Sequence, residues 1–304
     1  MGHLPEPSSG HYLQWAGRGR SSVWRYLAGT MVVVLAWSVG TVLVQVLAAA
    51  TGLDEDARPG PSLAYLTGTF ALGALAVPLV VRCVHRRPAW SVGVAQWPGP
   101  VRDVGSGIGI ALISLLLADA LATVGHPLRY VGMDWGRWWS VAVIAVVGFA
   151  VQVGFEELMF RGYLTQAVRR LTSKPLLVVG APSLLFAGIH WGNLDRYGRN
   201  PLQLIPYLLM GATLGWAAWR SGSLWLPFGI HWANNTYAVL LVGNPGDVLP
   251  FGAPFVRDLT DLGPAALAAL TLLQAGVQLA LVEWVVRRRT PADRPLRSAC
   301  GPVR

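Results

Sequence analysis

Apolar residues along this chain gather into long, nearly uninterrupted runs, and the segments between them are short and either basic or rich in Pro and Gly. A helix needs about 20 mostly apolar residues to cross the ~30 Å hydrocarbon core of a bilayer. Eight runs approach or reach that length: 26–50, 63–84, 104–124, 138–155, 176–190, 202–219, 224–242 and 264–286. The fifth is short, and the fourth ends in two carboxylates. The pattern predicts an all-α, polytopic membrane protein with about eight transmembrane helices. Residues 1–25 form a polar N-terminal segment, 26–286 a single transmembrane domain and 287–304 a basic tail. The first run is too long for the core of a signal peptide and is expected to be a retained helix.

Composition agrees with this reading. Hydrophobic residues make up 53% of the 304 positions and charged residues 13%, against about 25% charged in soluble domains. The net charge of +9 comes from 24 Lys and Arg against 15 Asp and Glu. A nucleic-acid binder would carry that excess on a polar face between ordinary core segments; here it lies between apolar runs, so no nucleic-acid partner is expected. Cys83 and Cys300 are too few for a disulfide framework.

Charge position also predicts orientation, because Lys and Arg are enriched on cytoplasmic loops. With eight spans and both termini cytoplasmic, 18 of the 24 basic residues fall inside and 6 outside. Trp24, Trp138, Trp139, Trp219, Trp225 and Trp284 sit at span ends, where interfacial anchors belong. The expected location is a bacterial plasma membrane, since the chain is rich in Ala, Gly and Arg and almost free of Lys. The lipid bilayer itself is the first partner.

Ionisable groups inside a bilayer cost at least about 2.5–3.5 kcal/mol each and mark functional sites by default. Glu156, Glu157 and Arg161 close the fourth run, His190 follows Phe186 in the fifth, and His231, Asn234 and Asn235 lie within the seventh. Asp119, Gln274, Gln278 and Glu283 stand apart, with Asp119 and Glu283 expected to be structural partners. Residues i and i+4 share a helical face. Glu157 can therefore pair with Arg161, leaving Glu156, about 100° round the helix, for chemistry. His231 and Asn235 point together into the bundle while Asn234 turns away. Phe186 lies one turn below His190. Glu156 is 17 residues before the turn at Ser173 and His190 is 17 after it, so both lie about 25 Å from that turn. His231 and Asn235 lie about 13–20 Å from their own turn at Gly222.

A carboxylate beside an imidazole in a dry pocket can activate a water molecule. A second imidazole and an amide, His231 and Asn235, can then stabilise the developing oxyanion. Alternatively, Glu156, His190 and His231 could hold Zn²⁺ with an open water position. The H-E-x-x-H spacing is absent, and zinc and metal-free water activation stay equally open.

The ordered set Glu156-Glu157-x-x-x-Arg161, Phe186-x-x-x-His190 and His231-x-x-x-Asn235 resembles the CAAX-protease and bacteriocin-processing family of intramembrane endopeptidases. The likeness spans about 154–237 and includes Arg161-Gly162-Tyr163-Leu164; the membrane core resembling the family is about 138–242. It implies that Glu156 and His190 activate water, that His231 and Asn235 stabilise the oxyanion, and that Glu157, Arg161 and Phe186 support them. The family is commonly labelled metalloprotease, which implies a metal on Glu156, His190 and His231 without deciding it. The implied substrate is a membrane-associated peptide or protein; the Arg-rich inner ends separately suggest a cytoplasm-facing cavity, which would suit a membrane-tethered or amphipathic peptide. The alternative is a proton- or ligand-coupled transporter, or a bacteriocin-immunity-type binding protein that performs no hydrolysis. Repeated halves or matching broken spans would favour a transporter, and neither is present in the sequence.

Overall fold

The computed structural model describes residues 11–51, 59–94, 99–197, 200–243, 253–259 and 262–288. All eight apolar runs are helical within it: α1 (Val23–Thr51), α2 (Pro59–Cys83), α3 (Pro100–Ala122), α4 (Trp135–Glu156), α5 (Thr165–Leu171), α6 (Pro175–Ile189), α7 (Ile205–Ser221), α8 (Trp225–Leu240) and α9 (Pro264–Arg287). The ninth helix arises because the fourth run continues past its carboxylates through a π-helical turn, Glu157–Leu164, into α5. The resulting rod, Trp138–Leu171, is 34 residues long. Of the basic tail, residues 289–304 lie outside the described residues, as do residues 1–10 of the N-terminal segment.

Among the described residues, five helices are long and apolar enough to cross a membrane: Val23–Thr51, Pro100–Ala122, Trp138–Leu171, Pro175–Leu194 and Ala265–Arg287. The apolar part of α2, Thr67–Cys83, is shorter, and α7 and α8 have only 17 and 16 residues. The first helix has a mean hydropathy of 2.2 over its best window, yet only 17% of that window is buried. Leu27, Leu35, Leu43 and Leu47 all point outward. A helix that is apolar all round and still exposed requires an apolar solvent. The chain is a membrane protein.

Packing is tightest where side chains vanish. At the crossing of α3 and α8, a Cβ on Gly107 would lie 2.4 Å from the Leu226 carbonyl oxygen, and one on Gly229 would lie 2.3 Å from that of Val104. Only glycine lets the two backbones meet, the device by which helices associate when lipid removes the hydrophobic driving force. Around this seam Ile110, Ala111, Leu214, Leu226 and Ile230 are buried together. A second cluster, including Val77, Val81, Phe155, Met159 and Tyr163, joins α1 and α2 to the long rod.

The two ends of the bundle are closed differently. At the end carrying Arg169, Arg170, Lys174 and Arg220, the polar N-terminal segment folds back as a 3₁₀ helix, Tyr12–Gly17, with Tyr12, Leu13 and Ala16 buried. His11 bonds the Trp219 carbonyl at 2.7 Å, the Tyr12 hydroxyl donates to the Arg161 carbonyl at 2.9 Å, and Gln166 donates to the carbonyls of Tyr12 and Ser91. The buried Arg87 guanidinium donates to Trp15 O and Gln166 Oε1. At the opposite end, β1 (Arg129–Tyr130), β2 (Val242–Gly243) and β3 (Phe255–Val256) form a small sheet, β3 central, antiparallel to β1 and parallel to β2. Arg257, just after β3, is buried against Asp119, which also accepts from the Tyr237 hydroxyl. Asp119 is thus the structural partner expected of it, as is Glu283, which binds Arg220 through both carboxylate oxygens.

His85 fixes the N-terminal segment to the loop after α2. Its Nδ1 faces the Arg20 carbonyl at 2.8 Å, and the Arg20 N–H returns a bond to the His85 carbonyl at 2.8 Å. A carbonyl only accepts, so Nδ1 carries the proton and Nε2 accepts from the Tyr163 hydroxyl at 2.8 Å. Burial pulls the His85 pKa down from 6.5 to about 4. The unfolded chain therefore binds this proton and the folded one does not between those values. Stability is expected to be insensitive to this group above pH 6.5, to fall from pH 6.5 towards 4, and to level off below. Thermal unfolding in detergent across that range, compared with His85→Gln, should show the acid slope shrink in the variant. Gly229→Ala should cost about 1–3 kcal/mol by overpacking, measured by the same unfolding, while Gly109→Ala, where a Cβ meets nothing within 4 Å, should leave stability unchanged.

Candidate active site

Burial and charge govern the site. Glu156, Glu157, Arg161 and His231 are all at most 3% exposed, so four ionisable side chains share one dry volume. Burying unpaired ions costs several kcal/mol each, and their contacts show how that cost is met. Arg161 Nη1 donates to Glu157 Oε1 at 3.0 Å, the expected i, i+4 pair. His231 Nδ1 lies 2.8 Å from the same Glu157 oxygen, and His231 Nε2 lies 3.4 Å from Glu156 Oε2. Gln152 Nε2 lies 3.4 Å from the other Glu156 oxygen, Oε1.

This geometry revises the division of labour between the two glutamates. Consecutive α-helical residues diverge by about 100°, which had separated Glu156 from Glu157. The helix changes to π winding at Glu157, where i→i+5 bonding turns each residue through a smaller angle; π segments within α-helices occur frequently at functional sites. The two carboxylates consequently straddle one imidazole instead of facing different partners. Glu157 still supports Arg161, and it also orients His231.

His190 caps α6 and begins the 3₁₀ helix His190–Tyr197. Its Nδ1 faces the Phe186 carbonyl at 2.7 Å. Because that oxygen only accepts, Nδ1 carries the proton, and in the neutral ring Nε2 presents a lone pair. The ring stacks on Tyr207 at 4.2 Å between centroids, with Phe186 at 4.7 Å. Phe186 is the hub beneath: Arg161 lies over its face at 4.2 Å, and His231 meets it edge-on at 5.9 Å. A guanidinium over an aromatic face is attracted by the ring quadrupole. That contact helps Arg161, whose Nη2 has no hydrogen-bond partner.

Glu156, His190, His231 and Asn235, together with Phe186, line one cavity of about 260 Å³. The depth mismatch computed from helical rise is absorbed because His231 reaches both glutamates directly. Asn234 does not turn away: it also lines the cavity, its Oδ1 accepting from Gln274 Nε2 at 3.3 Å. Gln274 and Gln278, which had seemed unrelated, form the α9 wall. Gln152 and Tyr207 also line the cavity. Gln152 sits four residues before Glu156 and was readable by helical spacing; Gln274 and Gln278 are i and i+4 in an apolar run, the same kind of signal. Nothing in the sequence marks Tyr207.

Among the described residues, no group of three or more His, Cys, Asp or Glu side chains is placed to hold a metal ion.

Residues 137–237 match the family model described as Rce1-like, type II CAAX prenyl endopeptidase. The core of this chain matches the CAAX-protease family. The match bears out the resemblance carried by the three motifs, and all of the cavity's motif residues lie inside it. The family is one of proteases, hence of hydrolases. A Bacillus subtilis (strain 168) protein bearing the name uncharacterized protein YyaK is 26% identical over 278 residues, covering 86% of this chain and 93% of its own. No solved structure matches the chain significantly.

Removing one partner of a buried ion pair strands the other charge and costs about 3–5 kcal/mol. Arg161→Met is therefore expected to lower the unfolding temperature in detergent sharply, and the double change Arg161→Met with Glu157→Gln to recover part of the loss. Additive losses in the two variants would show that the two side chains do not act as a pair.

Proposed function

We propose that the protein is an intramembrane endopeptidase that hydrolyses a peptide bond of a membrane-associated protein or peptide with a water molecule activated by Glu156 and His190. The observation that carries this reading is the placement of two imidazoles around one cavity: His190 offers a lone pair at Nε2, and His231 stands between Glu157 at its Nδ1 and Glu156 at its Nε2.

Charge counting assigns the roles. Arg161 and Glu157 neutralise one another, leaving Glu156 and His231, 3.4 Å apart, to share one further proton. Glu157, itself held by Arg161, stabilises an imidazolium at His231 through Nδ1, as a buried carboxylate does for the histidine of a catalytic triad. With that proton on His231, Glu156 is the ionised base. Water held at His190 Nε2 loses a proton to Glu156 as its oxygen attacks the scissile carbonyl carbon. The developing oxyanion accepts from His231 Nε2–H and from the Asn235 amide. Glu156 then returns the proton to the leaving amine nitrogen, which restores the carboxylate as the C–N bond breaks.

The excess of basic residues on one end of the bundle supports placing that end in the cytoplasm, with the plasma membrane of a bacterium as the setting.

Glu156→Gln keeps the shape and removes the base, and is expected to abolish turnover of a membrane-peptide library followed by mass spectrometry. Asn235→Ala, removing one oxyanion donor, should lower kcat by about 10²–10³-fold with KM little changed. Identical product patterns from the parent protein and Glu156→Gln would remove the peptidase reading. Strong chelators should leave the parent rate unchanged, since each step is assigned to a side chain.

A further inference from the structure

The cavity lies on the side of the catalytic groups away from the basic turns. In α7, which ends at Arg220, its lining comes from the first half, Pro206 to Thr213; in α6, which begins after Lys174, it comes from the last turns, Phe186 and His190. On α9, whose basic end is Arg287, the lining residues Thr271, Gln274 and Gln278 lie in the first two thirds of the helix. The expectation that the cavity faces the Arg-rich end therefore fails.

The basic end is also shut. Directly below Glu156 and His231, Arg161 and Phe160 pack on Phe186, with the guanidinium 4.2 Å from one face of the ring. Beneath that floor, Tyr12 bonds the Arg161 carbonyl, and Tyr12 and Leu13 are buried with Val178, Ala218 and Leu224. A peptide approaching from the basic turns would have to displace this apolar plug and its hydrogen bonds. On the other side the walls combine amides and hydroxyls with the apolar Pro206, Leu209, Met210 and Ala275; Glu156 is the one acidic group among the lining residues, and none is Lys or Arg. Walls that mix amides with apolar side chains suit an extended, uncharged stretch of peptide whose main chain supplies matching donors and acceptors.

We propose that the cavity is served from the face opposite the basic turns. With those turns in the cytoplasm, its substrate is a peptide segment presented on the extracytoplasmic side of the membrane. The statement about substrate rests on the endopeptidase reading; the access route rests on the geometry alone.

Accessibility labelling separates the two. Cys83, exposed at the basic end of α2, is a built-in reference in a Cys300→Ser background. Thr271→Cys and Leu209→Cys place a thiol on the cavity wall outside the catalytic set. A membrane-impermeant maleimide added to intact cells is expected to label both introduced thiols and spare Cys83, and in inside-out vesicles to label Cys83 and spare them. Introduced thiols that react only from the side of Cys83, or from neither side, would overturn the access route. An impermeant quenched peptide should then be cleaved only when supplied on the side that labels Thr271→Cys; cleavage from the Cys83 side would overturn the proposal. Loss of cleavage on both sides with the labelling pattern intact supports the access route and counts against the peptidase reading alone.

Discussion

Four ionisable side chains buried together can coexist only if their charges cancel, and most of the site follows from that requirement. Arg161 cannot be removed from beside Glu157, so the rod carrying both must keep one face turned to the bundle interior. Glu157 in turn fixes His231 on α8, and His231 meets Glu156. The glycine seam between α3 and α8 is the mechanical counterpart, because α8 must stand at one depth for His231 to reach both carboxylates. Electrostatics and packing therefore specify the same register by independent means.

A protein surrounded by lipid gains little from burying apolar surface, so its specificity has to come from polar contacts and close backbone approach. The sheet end and the basic end each use one buried arginine for this. Arg257 ties the β3 segment to Asp119 on α3, and Arg87 ties the N-terminal segment to Gln166 on α5. In both cases a guanidinium serves segments distant in sequence, where its fixed fork of donors can satisfy several acceptors at once.

Much of this was legible in the sequence. Run length and the charges between runs locate every long helix, because a chain in lipid has few alternatives to helix. The motif residues stood out because so few polar groups occur in the apolar segments. What escaped was what ideal helical geometry could not express. The π turn at Glu157 altered an angular argument that was sound for an α-helix, and brought both glutamates to His231. Asn234 was assigned outward by the same idealisation. Tyr207 carries no signal, since an aromatic near a helix end in an apolar sequence is ordinarily an interfacial anchor. The N-terminal segment, polar in composition, hid a short buried stretch, Tyr12-Leu13, too brief for any periodicity to register.

The docking of that segment has a consequence for how the molecule comes into being. Its hydrogen bonds reach Arg161, 149 residues away, and Trp219, 208 residues away. The segment Tyr12–Gly17 thus has no binding surface until α5, α6 and α7 have been inserted. Closing loops of that length is slow compared with forming neighbouring helix pairs, so this segment is among the last pieces to settle. Completion of the fold is then reported by Tyr12 and Leu13: a chain arrested before α7 would leave them exposed to quality-control proteases, and a finished one would hide them.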